Sequence, residues 1–130
     1  MTFIMGQYRK CWGWALADDR TTWVEVFDTR WSRCHQWEGC PTWQLSRYVL
    51  GLHPRFDLSK HRYRFYLAAG DLNHASGSIP IPGDDRILKV QWRRSLENQI
   101  DYRLDVPEGL SIQVAFDDAE DVMEVSGTRQ

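Results

Sequence analysis

At 130 residues, 42% hydrophobic, 26% charged and with a net charge of −2, the chain has the size and composition of one globular domain. It is long enough to bury a core without metal or disulfide staples. No run approaches the ~20 apolar residues of a bilayer-crossing helix, and the first ten residues have neither a basic leader nor a long apolar stretch, so no secretory signal and no membrane partner are expected. Cys11, Cys34 and Cys40 are odd in number and irregular in spacing; this argues against a disulfide framework and for a reducing compartment, the cytoplasm or the inside of an infected host cell.

Charge and aromatic residues are unevenly spread. Residues 1–65 hold ten Lys/Arg against six Asp/Glu, whereas residues 66–130 hold six against twelve. Thirteen of the sixteen basic residues are Arg, and six of the seven Trp precede residue 44. Both types are enriched at binding hot spots, although Trp is also an ordinary core residue.

In chain order, 8–16 reads as a strand, Asp18-Asp19 as a turn and 21–28, rich in β-branched and aromatic residues, as a second strand closing a hairpin. Residues 29–40 have no clean period and read as an aromatic loop, or at most one short helical turn. Pro41 at a first helical position, with Leu45, Val49 and Leu52 at helical spacing and Gly51 and Pro54 as stop signals, predicts the principal helix over 41–52. Residues 61–68 alternate, with Tyr63, Phe65 and Leu67 on one side and Arg62, Arg64 and Tyr66 on the other. The Gly- and Pro-rich segment 70–85 reads mostly as loop, with a short edge strand around Ile79 and Ile81. Strands are predicted over 86–92, 100–105 and 110–116, the last two joined through Pro107-Glu108-Gly109 as a hairpin. The acidic tail 117–130 includes a short helix through Ala119, Val122 and Met123. Strands following strands imply an α+β domain: a mainly antiparallel sheet of six or seven strands with one principal helix, as a single domain over 1–130.

Catalytic and cofactor patterns are weak. Cys34, His35 and Cys40, with Cys11 and His53, lack the paired Cys hooks of a zinc site, so no metal is expected. Asp71, His74, Ser76 and Ser78, followed by Asp84 and Asp85, share one segment without a nucleophile elbow, so no catalytic residue is assigned. No phosphate-cradling glycine loop is present, and no cofactor is expected.

Two binding surfaces remain. Arg30, Trp31, Arg33, Trp37 and Arg47 surround the aromatic stretch and form the expected protein-binding surface, with Trp31 or Trp37 as anchor and Trp43 in the core. Arg62, Arg64 and Tyr66, extended by Arg9, Lys10, Trp12 and Trp14, form the alternative: a cationic strand face with a stacking aromatic for single-stranded nucleic acid. The pI of 6.1 weighs against that alternative. The first expectation is therefore a non-enzymatic protein acting by protein–protein contact, such as a phage- or plasmid-type inhibitor of a host defence complex, or an immunity protein. Nucleic-acid binding follows, then an enzyme of unfamiliar type or a virion or assembly subunit.

Overall fold

The computed structural model describes residues 2–126 except 20, 29, 33, 60, 61 and 116–121; for Trp37 and residues 122–126 only the backbone is described. The chain falls into two compact units, Met1–Gln44 and Leu45–Gln130. It is α+β, and no helix among the described residues is long and apolar enough to cross a membrane.

In the first unit, residues 8–16 are helical, not a strand: helix α1 spans Thr2–Ala17. Tyr8 and Trp12 are one helical turn apart and meet edge to face at 5.2 Å, a contact that strand geometry would forbid. Trp12 organises this unit. Its indole N–H donates to the Glu38 carbonyl at 2.7 Å, and its ring meets Phe27 at 4.7 Å. Segment 21–28 forms no regular strand and no hairpin with 8–16. Its extended part pairs instead with the aromatic loop, through Glu25 N–H to the Ser32 carbonyl at 2.8 Å and His35 N–H to the Trp23 carbonyl at 2.9 Å. The β-branched residues of 21–28 thus find backbone partners, but too few for a ladder. A 3-10 turn, Gln36–Gly39, then leads into a short helix α2, Cys40–Gln44.

The principal helix expected over 41–52 is broken. After α2 the backbone widens into a π-turn, Leu45–Val49, in which Leu50 N–H reaches back to the Leu45 carbonyl at 3.0 Å. Gly51 then takes a left-handed φ of +77°, and its carbonyl accepts from Tyr66 N–H at 2.8 Å. The residues that would end the helix are already committed to a sheet.

Among the described residues the second unit holds seven strands in two sheets. Strands β1 (Leu52–Pro54), β2 (Arg62–Phe65), β6 (Ser111–Ala115) and β7 (Val122–Ser126) form a four-stranded sheet in the order β1-β2-β6-β7. Strands β3 (His74–Pro80), β4 (Ile87–Arg94) and β5 (Ile100–Asp105) form an antiparallel meander. The pair β2–β6 is parallel. Parallel neighbours need a long crossover, and here the whole three-stranded sheet provides it. The hairpin expected between 100–105 and 110–116 is therefore absent: β5 pairs with β4, while β6 pairs with β2 and β7. Val122 and Met123 lie in strand β7, not in a helix; Asp117 to Asp121 lie outside the described residues.

The two sheets share one core. Leu52, Tyr63, Phe65, Ile112 and Val114 from one sheet and Leu88, Val90 and Trp92 from the other are all buried in a single cluster. Phe65 and Tyr102 touch across it with ring centroids 5.0 Å apart. Strand β3 belongs to this sandwich, although its sequence reads as loop, because its inward positions are small. Gly77 faces Leu50, and a Cβ there would lie 2.7 Å from a Leu50 methyl carbon.

This contact is testable. Gly77→Ala is expected to destabilise the protein by ~1–3 kcal/mol through overpacking, seen as a lower urea midpoint with an unchanged slope. Adding Leu50→Ala should cost less in the Gly77→Ala background than alone; strictly additive effects would mean that the two side chains do not meet.

Candidate nucleic-acid interface

Period-2 geometry gives each sheet an inner apolar face and an outer polar one. The outer faces differ. On the meander, register sets Lys89 opposite Asp105 and Arg93 opposite Asp101, with Ser76 and Ser78 alongside. Charge of both signs alternates across that face, as on an ordinary solvated sheet. His74, Ser76 and Ser78 project from alternate, exposed positions of β3, and among the described residues no hydrogen bond joins the histidine to either serine. Asp84 is engaged by the Arg86 guanidinium. Among the described residues, no three His, Cys, Asp or Glu side chains converge in a metal-binding group.

The outer face of the four-stranded sheet is cationic and aromatic at its β1–β2 side. His53 pairs in register with Arg64, which pairs with Gln113, which pairs with Glu124. Arg62 stands beside Ser111 in the next outward row. The Arg64 guanidinium lies over the Tyr66 ring at 5.9 Å, and the Arg47 guanidinium over the Tyr48 ring at 5.8 Å. His53 joins the two pairs: its ring meets Tyr48 edge-on at 5.8 Å and Tyr66 at 6.0 Å. The left-handed turn at Gly51 makes this possible, since a Cβ there would come within 3.0 Å of the Tyr66 carbonyl oxygen.

Electrostatics follow from half-burial. Nε2 of His53 sits 3.2 Å from the Tyr66 carbonyl oxygen. Burial depresses the imidazole pKa below its ordinary range; the carbonyl contact opposes this, and the charges of Arg47 and Arg64 add to it. Arg64 carries the sharper anomaly. Its Nε is buried and has no hydrogen-bond partner among the described residues, a costly state for a guanidinium donor. Among those residues no carboxylate forms an ion pair with Arg47, Arg62 or Arg64.

The structure thus brings Arg64 and Tyr66 together, with Arg62 on the same face, and adds Tyr48, His53 and Arg47. Sequence reading missed Tyr48 and His53 as members of this group. Tyr48 looks like a core position of a regular helix, and the π-turn is what redirects it. His53 carried no signal beyond a poorly supported zinc ligand.

The other surface is less coherent. Arg30 is chelated by its neighbour Asp28, with Nε at 3.0 Å and Nη2 at 2.6 Å, which lowers the Asp28 pKa. Trp31 is 58% exposed. Trp43, expected in the core, is 53% exposed, on a helix too short to bury a full face. Arg33 lies outside the described residues, as does the side chain of Trp37, and Arg47 belongs to the second unit. Of the residues expected to extend the nucleic-acid face, Arg9 and Lys10 are exposed on α1, whereas Trp12 is committed to packing. No protein-family model matches the chain, and no curated protein matches it.

A depressed His53 pKa makes a signed prediction. The unfolded chain binds a proton at His53 before the folded one does, so stability contributed there is present above the unfolded imidazole pKa and is lost as pH falls through the folded one. Thermal melts should show a downward trend in that window that is smaller in His53→Gln. An NMR titration placing His53 at or above the ordinary imidazole value would contradict this account.

Proposed function

We propose that this chain is a non-enzymatic binding protein that holds a short stretch of single-stranded nucleic acid on the outer face of its four-stranded sheet. The observation that carries the reading is Arg64: its guanidinium lies over the Tyr66 ring, beside His53 in register, and forms no ion pair with a carboxylate among the described residues. A phosphate is an acceptor suited to a guanidinium, and a tyrosine ring beside it offers a platform for a base. Arg47 and Arg62 supply further positive charge without a competing carboxylate among the described residues. With three arginines on this face, Arg47, Arg62 and Arg64, the footprint is limited to a few phosphates.

That limit gives a number. For single strands log K falls by about 0.7 per neutralised phosphate for each decade of salt, so three arginines predict a slope of roughly −2. Fluorescence anisotropy with a labelled thymidine strand should find that slope, and Arg64→Ala should reduce its magnitude by about 0.7. Absence of binding at ~50 mM salt, where such contacts are weakly screened, would end the proposal.

Protein contact is the second reading. It is favoured by the exposed rings of Trp31 and Trp43 in the first unit, near the half-exposed Phe27 in sequence. If either ring is an anchor, Trp31→Ala or Trp43→Ala should leave the melting temperature unchanged and weaken a purified partner's binding roughly thirtyfold. Variants that melt early would instead mark these rings as structural.

A further inference from the structure

We infer that the cleft at one end of the sandwich receives an unstacked nucleobase of the bound strand; this rests on the nucleic-acid reading above. The cleft measures ≈ 450 Å³ and is lined by Phe65, Tyr66, Ala69, Arg94, Asn98 and Tyr102, among others. That volume falls within the usual range of small-molecule sites. Tyr66 belongs to both places: Arg64 lies over its ring, and it also lines the cleft. A strand whose phosphate sits on Arg64 therefore has an adjoining base at the mouth of an aromatic-lined slot.

The slot is built to keep its shape and to offer hydrogen bonds. Arg94 donates to the Leu72 carbonyl at 3.3 Å, to the Gly70 carbonyl at 3.1 Å and to Asn98 Oδ1. These contacts fix the 67–73 connection to the turn between β4 and β5. Three of the five guanidinium N–H groups are used there, which leaves two. Asn98 has its Oδ1 occupied, which leaves its amide N–H groups as donors at an exposed, left-handed position with φ of 64°. Base edges carry carbonyl and ring-nitrogen acceptors that fit such donors, and every base has a face for aromatic contact. A double helix keeps its bases stacked and cannot fill the slot, so the cleft selects single strands.

The test compares a ~12-nucleotide thymidine strand, within the usual range of single-strand site sizes, with a fully abasic strand of the same length and phosphate count. The thymidine strand should bind at least roughly tenfold more tightly, and Tyr66→Ala should narrow that ratio. Asn98→Gly, which tolerates the left-handed backbone, should weaken the thymidine strand several-fold and leave the abasic strand unchanged. Equal affinity for the two strands, or an equal loss for both in Asn98→Gly, overturns the cleft while leaving the phosphate-binding face intact. Failure of both strands to bind at ~50 mM salt overturns the nucleic-acid reading and the cleft together.

Discussion

One buried indole ties the π-turn of the second unit to its sandwich core. Trp92 is 1% exposed at the centre of the sandwich, and its N–H donates to the Val49 carbonyl at 2.7 Å. That carbonyl belongs to the π-turn, whose widened backbone leaves carbonyl groups without regular helical partners. The hydrogen bond satisfies one of them and ties the turn to strand β4. Leu50 follows directly and fills the space above Gly77. Arg47 and Tyr48, two residues and one residue before Val49, are thereby carried to the edge of the four-stranded sheet. Without the Trp92 anchor nothing in the local sequence would set Tyr48 against His53.

The arginines of the cationic face differ from three others in the chain. Three arginines elsewhere are neutralised by local carboxylates: Arg30 by Asp28, Arg55 by Asp57, Arg86 by Asp84. Each of these pairs spans two residues in sequence and is held by a turn, so it forms whatever the tertiary structure does. Arg62 and Arg64 sit in a strand, where a residue two places away shares the face but is another arginine or Tyr66. Their neutralising partner must come from a neighbouring strand, and register supplies Ser111 and Gln113 instead. Strand geometry, not a lack of acidic residues in the chain, denies these two arginines a carboxylate two places away.

Much of the second unit was legible in its sequence. Strands with one large apolar and one polar face declare themselves, and β2, β4, β5 and β6 fall where alternation puts them. Strand β3 was legible only around Ile79, because its other inward positions are Ala75 and Gly77, and a small residue matched to a large neighbour carries no hydrophobic period. The first unit was misread for a related reason. Its aromatic and β-branched residues suit strands, yet Tyr8 and Trp12 stack one helical turn apart and the 21–28 segment pairs with a loop. Of the candidate site, Arg62, Arg64 and Tyr66 were visible as one face of one strand, while Tyr48 and His53 were not.

The sequence by itself determined the α+β class, the alternation of four strands and the outward grouping of Arg62, Arg64 and Tyr66, because these depend only on the fixed two-residue period of an extended chain. Tertiary structure alone decided which strands pair, that β2 lies parallel to β6, and that a predicted helix opens into a π-turn. Those outcomes are set by contacts between residues far apart in the chain, such as Trp92 with Val49, Leu50 with Gly77 and Phe65 with Tyr102. Local propensity has no access to such contacts, since the energy that selects them exists only once the sandwich has closed.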